Sequence, residues 1–321
     1  MATPTVELDG QYRVLREECG FAERPELRLL RASGPDAAEY VHDQLTNDVT
    51  GLAPGEGCYA ALLDRKGHMR SDLRVLRVAA DELLLICDAE GRDALGAHLG
   101  TYRVGRDVDF EKLDESHVVV SVVGPATARA LGGSPLGAEH DHDQRELVAG
   151  GVPARVVTTD TGADVVIARA DAERLRGALA GAGAEEVEGD ALEIIRVETG
   201  RPRFGREMTT ATIPQEAGLN ERAISFTKGC YIGQETVARL HYKGRPNRHL
   251  RGLRLGAPVA DGAPVRLGER DLGTVGTAVL SPAHGPIALA VLRREAEPGA
   301  TVTVADRTTA EVVDLPFSAP E

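Results

Sequence analysis

The chain has 321 residues, a length that suits two or three domains of about 100 to 150 residues each. Its 37 basic and 50 acidic residues give a net charge of -13, which argues against general binding to nucleic acid or to an anionic membrane surface. Tryptophan is absent and aromatic residues make up only 3%, which excludes a site built on an indole ring. The scattered cysteines form no Cys-x-x-Cys pair, so neither a disulfide framework nor a self-contained zinc or cluster site is expected at Cys19, Cys58, Cys87 or Cys230.

The first ten residues lack the charged start and the apolar run of a secretory leader. No apolar stretch approaches the roughly 20 residues that span a bilayer, so we expect a cytoplasmic protein without a membrane segment. The polar run 139–143 alternates acidic residues with two histidines, a pattern more typical of a solvated turn than of a metal site. No metal site is therefore expected.

The first third of the chain predicts an α+β unit. Apolar alternation and turn residues predict strands at 26–32, 58–63, 69–78 and 83–87, with helices at 36–45 and 88–99. Asp72 stands inside the third of these strands. A carboxylate there either faces solvent, the commoner environment for aspartate, or points into a cleft. The pattern alone leaves both alternatives open.

A second α+β unit is predicted to follow. Its strands are expected at 118–123, 155–159 and 164–168, and its helices at 171–180 and 190–199. The sequence Gly-Pro-Ala at 124–126 echoes Gly-Pro-Asp-Ala at 34–37, and each follows a predicted strand. This short echo suggests two related halves.

The last third turns basic and then predicts a small antiparallel barrel, because short segments between 249 and 313 are broken by glycine and proline at regular spacing. The basic run fits either a solvated face or a site for the acidic tail of a ligand or for an acidic partner protein. Its members are Arg239, Lys243, Arg245, Arg248, Arg251 and Arg254.

Cys230 has the most reactive setting of the four cysteines. It lies in Lys-Gly-Cys-Tyr-Ile-Gly-Gln-Glu at 228–235, and a helix is predicted to begin at Gln234. The free amides of a helix start and the charge of Lys228 favour a thiolate, and hence nucleophilic or redox chemistry. The alternative is that the thiol packs as a small buried hydrophobe, as free cysteines commonly do.

The segment 228–239 resembles the signature of the YgfZ-type folate-binding proteins, relatives of the glycine cleavage T-protein that are implicated in iron–sulfur cluster assembly or repair. Shared blocks are Gln-Leu-Thr-Asn-Asp-Val at 44–49, Arg-x-Glu-x-Gly-x-Pro at 196–202 and Ile-Pro-Gln-Glu-Ala at 213–217. The resemblance implies an α+β, T-protein-like folate-binding fold of two interleaved α+β units with a small C-terminal antiparallel β-barrel. The implied divisions are 1–115 completed by 200–244, then 116–199, then 245–321.

The resemblance also implies a function. Tetrahydrofolate or a derivative would lie in a central cleft, and the protein would support iron–sulfur clusters in client enzymes, with iron–sulfur assembly or client proteins as partners. Asp72 matches the T-protein aspartate that faces the reacting nitrogens of folate. The catalytic candidates are Cys230, Lys228 and Asp72. The candidates for binding folate are Asp72, Arg196, Glu198, Tyr231, Gln234, Glu235 and Arg239.

Two departures from the T-protein bear on the activity. Ser71 replaces the first residue of its Asp-Asp-Leu sequence, and Ala163 stands where the T-protein has a glutamate that contacts the pterin. Both weigh against the alternative function, which is tetrahydrofolate-dependent aminomethyl transfer of the T-protein type. A binding module without chemistry is a further alternative. Whether the protein is an enzyme stays open at this point.

Overall fold

The computed structural model describes residues 6–133 and 141–318, so part of the predicted turn at 139–143 lies outside the described residues. The described chain begins with two elements that the sequence pattern did not predict, helix α1 (Val6–Glu17) and strand β1 (Gly20–Glu23). One face of α1 packs through Tyr12 and Leu15 against a later helix and the C-terminal part of the chain. This contact ties α1 to the C-terminal part of the chain.

The first sheet contains the predicted strands of the first unit and one more. Its members are β2 (Leu27–Ser33), β3 (Gly57–Leu63), β4 (Met69–Ala79), β5 (Glu82–Asp88) and β6 (Asp109–Lys112), in the order β3-β4-β5-β2-β6, and all neighbours are antiparallel. Helices α2 (Ala37–Gln44) and α3 (Ala89–Tyr102) cover one face. There Tyr40 and Leu95 join a closed apolar core with Leu73 and Leu85.

The second sheet repeats this topology. Its later members are β7 (His117–Val123), β8 (Gln144–Ala149), β9 (Val152–Thr159), β10 (Gly162–Ala168) and β11 (Glu185–Glu186), with helices α4 (Thr127–Ala130) and α5 (Ala172–Gly181). The order is β11-β1-β7-β10-β9-β8. The run β8-β9-β10-β7 corresponds to β3-β4-β5-β2 of the first sheet. The repeated Gly-Pro sequence therefore lies at equivalent positions, after β2 and after β7.

The two sheets face each other through a shared apolar layer. Leu76, Leu84 and Ile86 of the first sheet meet Val157 and Val166 of the second. Since side chains alternate across a strand, the residues two and four positions before Leu76 on β4 share its face. Those residues are Arg74 and Asp72, so the contact between the sheets becomes polar at this end.

The rest of the chain closes over the sheets. Helix α6 (Gly189–Glu198) is followed by a long segment that contains a 3₁₀ turn (Pro214–Ala217) and helix α7 (Asn220–Ala223) and ends at helix α8 (Gln234–Lys243). Phe204, Leu219 and Tyr231 of this segment pack against Leu63 and Met69 of the first sheet. The start of α8 agrees with the prediction from the sequence.

The C-terminal strands form the predicted antiparallel barrel. They are β12 (Arg248–Leu255), β13 (Pro264–Leu267), β14 (Arg270–Ser281), β15 (Gly285–Arg293), β16 (Thr301–Val304) and β17 (Thr308–Val313), closed in the order β12-β15-β14-β13-β16-β17. Strand β1 pairs with β7 and β11, so the N-terminal segment completes the second sheet. The division of the chain at 115, 199 and 244 stays a prediction. Within the described ranges, no helix combines the length and apolarity needed to cross a bilayer.

Candidate functional site

A polar cleft of about 560 Å³ lies at the end of the contact between the sheets. Its walls come from the β1–β2 turn, β4, β7, the β9–β10 turn, α6 and the loop that follows α6. This volume is typical of small-molecule sites, which span about 300 to 1,000 Å³. Charged side chains of both signs line it, namely Arg24, Arg74, Arg196, Arg201, Arg203 and Arg206 with Glu23, Glu26, Asp160, Asp164, Asp190 and Glu193.

Asp72, with only 6% of its surface exposed, is not itself among the described lining residues; it is connected to the cleft through Asp88, whose partner Arg203 lines it. The Oδ2 of Asp72 accepts a hydrogen bond from the hydroxyl of Tyr59, whereas its buried Oδ1 has no hydrogen-bond partner among the described residues. Burial and the nearby carboxylate of Asp88 raise the pKa of Asp72 to about 7, although the Tyr59 hydrogen bond and Arg203 act in the opposite direction. Asp72 is therefore a carboxyl group that exchanges its proton near neutral pH.

Asp88 is the second buried carboxyl group of this site. It stands at the junction of β5 and α3, and the Nε of Arg203 donates a hydrogen bond of 2.9 Å to its Oδ1. Burial raises the pKa of Asp88, and the guanidinium of Arg203 opposes this shift. Of the two carboxyl groups, Asp88 is the one paired with Arg203. The negative charge is therefore better placed on Asp88, and the proton on Asp72.

The ring of Tyr59 lies near the side chains of Arg222 and His142. The guanidinium of Arg222 lies 5.5 Å from the centre of its ring, and the ring of His142 lies 6.3 Å away. Burial raises the pKa of Tyr59, so its hydroxyl stays protonated and donates to Asp72. Burial and the charge of Arg74 lower the pKa of His142 to about 3, which leaves this imidazole neutral.

The floor of the cleft is an ion-paired network between the sheets. Arg74 of β4 donates to Asp164 of β10, which also accepts from Ser121, while Arg24 donates to Ser121 at 3.1 Å. Burial alone would raise the pKa of Asp164, but the guanidiniums of Arg74 and Arg24 hold it below its ordinary value. Ala163, at the position of the T-protein glutamate, packs into the core. The next residue, Asp164, faces the cleft and supplies a carboxylate there.

Arg196 reaches the wall of the cleft, but its guanidinium is fully engaged. Its Nε and Nη2 donate to Glu193, both at 2.8 Å, and Nη2 also donates to Thr277 at 2.9 Å. Its Nη1 donates to Glu207 at 3.0 Å and to the carbonyl oxygen of Arg201. With all five N–H groups used, Arg196 fixes the loop after α6.

Glu198, two residues further along α6, points to a different part of the molecule. Two positions on a helix differ by about 200° in direction, so Arg196 and Glu198 cannot share a face. The buried carboxylate of Glu198 accepts from Arg16, from the hydroxyl of Tyr12 at 3.3 Å and from Ser281. It therefore joins α1, α6 and the barrel, and it is not among the described residues that line the cleft.

Cys230 lies in a separate, shallow groove of about 380 Å³. Its side chain is exposed, and its neighbours in the groove are Tyr40, Asp43, Gln44, Tyr102, Arg106, Tyr231 and Ile232. None of these residues lines the cleft beside Asp72. The resemblance in the sequence predicts one cleft formed by Asp72, Arg196, Glu198 and the Cys230 loop. In the structure these residues lie in three locations: near the polar cleft, between α1 and the barrel, and in the Cys230 groove.

Lys228 anchors the loop that carries Cys230. Its ammonium donates to the carbonyl oxygens of His42, Leu45 at 2.7 Å and Asn47 at 3.2 Å, at the end of α2. Burial lowers the pKa of Lys228 to about 8. The block 44–49 and the segment 228–235 are therefore in direct contact: the block supplies carbonyl groups that accept the hydrogen bonds of Lys228.

The remaining predicted residues belong to this loop and to α8. Tyr231 is buried in the core under the loop. Gly233 adopts φ 87°, and a Cβ atom at this position would lie 2.6 Å from the carbonyl oxygen of Asp64. Glu235 and Arg239 are exposed on α8. Together with Gln234, they lie outside the described lining of the cleft.

The model of the GCVT N-terminal domain family matches residues 7–228. The chain belongs to this family. Similar proteins include the aminomethyltransferase of Saccharopolyspora erythraea, which is 29% identical over 96% of this chain and 89% of its own length. The aminomethyltransferase of Rubrobacter xylanophilus is 27% identical over 97% of this chain and 86% of its own length.

Among solved structures, the glycine cleavage system aminomethyltransferase T from Bartonella henselae has a TM-score of 0.86 at 23% identity, covering 97% of this chain and 89% of that chain. This match confirms the predicted T-protein-like fold with its C-terminal barrel. The comparisons support the relationship to the T-protein and do not confirm the YgfZ-type assignment within the GCVT N-terminal domain family.

Several residues of this family member's site were missed from the sequence. Tyr59, Asp88 and Arg203 surround Asp72, and His142 and Arg222 flank Tyr59. A signal existed for Arg74, since strand alternation places it on the same face as Asp72. The others come from distant segments, and no local pattern connects them.

Proposed function

We propose that the protein binds tetrahydrofolate in the cleft beside Asp72 and transfers a one-carbon unit, as expected of an aminomethyltransferase of the T-protein type. The observation that carries this proposal is the buried Oδ1 of Asp72, which has no partner among the described residues and belongs to a carboxyl group with a pKa of about 7. Relatives of this chain are named aminomethyltransferases. The resemblance in the sequence assigns the folate-facing aspartate to this position.

The residues of the cleft fit a reduced folate. Such a ligand has a pterin ring with several N–H donors and a tail that ends in carboxylates. Asp164, which lines the cleft, and the unpartnered Oδ1 of Asp72 would accept hydrogen bonds from the ring. The arginines of the cleft, such as Arg201 and Arg203, would bind carboxylates. The Nε of Arg201 is buried without a partner among the described residues, which leaves a donor for a ligand.

Tetrahydrofolate, when bound, supplies the amines that carry the one-carbon unit. The protein's own contribution is the placement of a proton. Tyr59 fixes Oδ2 of Asp72 and so leaves Oδ1 as the atom that takes up or releases a proton. A group of pKa about 7 does both at neutral pH, which is the condition for efficient general acid–base catalysis.

The test compares the parent protein with Asp72→Asn. Calorimetry should detect tetrahydrofolate binding to both, because asparagine keeps the shape of the site. The formation of methylene-tetrahydrofolate from an aminomethyl donor should fall by about 10²- to 10⁴-fold in the variant, the usual contribution of a positioned acid or base. Ser71→Ala is the matched control, since Ser71 precedes Asp72 on β4 and faces α3. Absence of binding heat at millimolar folate, or unchanged turnover in Asp72→Asn, would contradict the proposal.

A role in iron–sulfur cluster maintenance is a second candidate, and the exposed thiol of Cys230 supports it. Cys19 and Cys87 are buried and Cys58 is half-buried, so Cys230 is the one cysteine open to solvent. A deletion strain complemented with Cys230→Ala or with Asp72→Asn separates the two functions. Loss of cluster-enzyme activity with Cys230→Ala alone would favour this role, and equal complementation by Cys230→Ala and the parent would exclude it.

A further inference from the structure

A group of basic residues forms one continuous surface from the C-terminal half of α8 to the edge of the barrel. We call it the α8–barrel patch. All of its members are exposed, and none makes an ion pair within the described part of the chain. They are Arg239, Lys243, Arg245, Arg248, Arg293 and Arg294.

The patch is continuous because of two connections. Gly244 joins the end of α8 to Arg245, and β12 begins three residues later at Arg248. Arg248 is the direct neighbour of Arg293 in the register of β12 and β15. The backbone N–H of Arg294 donates to the carbonyl oxygen of Asn247 at 2.9 Å, which holds the helix–barrel linker against the end of β15.

Like charges meet within the patch, although two acids also act on it. Glu235 precedes Arg239 by four residues on α8. The charge of Arg248 opposes the rise that burial causes in the pKa of Glu216. Arg239 and Lys243 are spaced i, i+4 on α8, where like charges repel, and Arg248 faces Arg293 across a strand pair, where like charges are also unfavourable. Glu235, the acid in the first turn of α8, makes no ion pair among the described residues.

Other arginines of the barrel are neutralised by acids. Arg251 pairs with Asp314, Arg266 with Asp306 and Arg270 with Glu295. The α8–barrel patch is therefore a positive surface without ion pairs among the described residues, on a chain whose net charge is -13. A cluster of exposed like charges without ion-pair partners is typical of a site that binds a partner of opposite charge.

We propose that the α8–barrel patch docks an acidic protein segment, a stretch of aspartate and glutamate side chains on a partner. This interaction goes beyond folate chemistry and does not depend on it. The patch has one strongly exposed aromatic residue, Tyr242 at 67%, while the ring of His241 is already stacked on Phe226 at 3.7 Å. A site for single-stranded nucleic acid needs a series of free aromatic platforms along a basic groove, which is absent from the described surface here.

The position of α8 connects the patch to the Cys230 groove. The helix has 10 residues, which correspond to a length of about 15 Å, and it begins four residues after Cys230. Gln215 holds it in place by donating from Nε2 to the carbonyl oxygen of Val237 at 3.0 Å. A partner docked on the patch therefore lies one helix length from the exposed thiol.

The experiment measures binding of a fluorescein-labelled octaglutamate peptide to the full chain by anisotropy, at low and at physiological salt. The parent should bind saturably and lose affinity as salt rises. The double variant Arg245→Ser/Arg248→Ser should bind about tenfold more weakly, since each exposed charge contributes roughly 0.5 to 1 kcal/mol. The matched control is Arg13→Ser/Arg307→Ser, which removes the same charge from exposed positions elsewhere and should change affinity less than about twofold.

A second measurement separates docking from a structural role. Arg293→Thr removes the repulsion with Arg248, so its melting temperature should equal or exceed that of the parent while peptide binding weakens. A lower melting temperature with unchanged binding would assign Arg293 to the fold. Binding that ignores salt, an equal loss in the control variant, or tighter binding of an oligothymidylate of the same charge would overturn the proposal.

Discussion

The Asp72 cleft and the Cys230 groove show two ways in which a protein prepares a reactive group. Asp72 is buried, and its raised pKa arises first from that burial and then from the carboxylate of Asp88, while Tyr59 and Arg203 act against the shift. Cys230 is exposed, on a loop that Lys228 anchors to the carbonyl groups at the end of α2 and that Gly233 holds close to Asp64. The first depends on the tertiary environment and the second on accessibility, so different experiments must test them.

One segment serves both sites. The chain from 199 to 233 passes the cleft at Arg201 and Arg203 and reaches the groove at Cys230. Thr46 fastens this segment by donating to the carbonyl oxygen of Ala223 at 2.6 Å. The segment therefore connects the sequence block at 196–202 with the blocks at 44–49 and 228–235, although side chains from these blocks line either the cleft or the Cys230 groove.

The largest expected effect is in thiol labelling. Sub-stoichiometric iodoacetamide at pH 7.5 should label Cys230 faster than the other cysteines by on the order of a hundredfold or more, because only Cys230 is exposed. Burial raises the pKa of Cys58 and of Cys87 to about 12 and so suppresses their thiolates. Peptide mass spectrometry provides the measurement. Bound tetrahydrofolate should not protect Cys230, and protection would show that the cleft and the groove communicate.

The next effect concerns Glu198, which lies in neither site. Glu198→Gln should lower the free energy of unfolding by about 2 to 3 kcal/mol, since a buried carboxylate loses its charge beside Arg16. Chemical denaturation measures this loss, and Glu17→Gln, at an exposed position of α1, is the control. Folate affinity should stay unchanged. A matching loss of affinity would place Glu198 in the cleft after all.

Lys228→Met tests how the groove is held. Its removal leaves carbonyl groups at the end of α2 without their donor, so we expect a loss of about 1 to 2 kcal/mol in unfolding free energy. The alkylation rate of Cys230 should not fall, because the ammonium binds those carbonyl groups. Denaturation and labelling on the same samples decide the point. A several-fold slower alkylation would restore Lys228 as the group that activates the thiol.

The smallest effect is the pH dependence of Asp72→Asn. The pKa of Asp72 is higher in the folded than in the unfolded protein, so its contribution to stability is present at low pH and is lost as the pH rises toward about 7. Asparagine does not titrate. The variant should therefore melt about 2 to 4 °C above the parent at pH 8 and close to it at pH 4. Calorimetric scans across this range provide the check, and a lower melting temperature at every pH would show that the carboxyl group is structurally required.

Local patterns in the sequence were sufficient for much of this architecture. Alternation identified β2 to β5, turn residues identified the barrel, and Gly233 with Gln234 marked the start of α8. The motif at 228–239 and the shared blocks predicted the T-protein-like fold. These signals act over about ten residues, the range in which backbone geometry and side-chain periodicity are set by neighbours in the chain.

The tertiary structure decided which of the candidate residues meet. It turned Asp72 toward the contact between the sheets, separated Glu198 from Arg196 on opposite faces of α6, and placed Cys230 in a groove of its own. It also added α1 and β1 to distant parts of the fold. The physical reason is that burial, pKa shifts and ion pairing depend on segments brought together by packing. No pattern within a single segment contains that information.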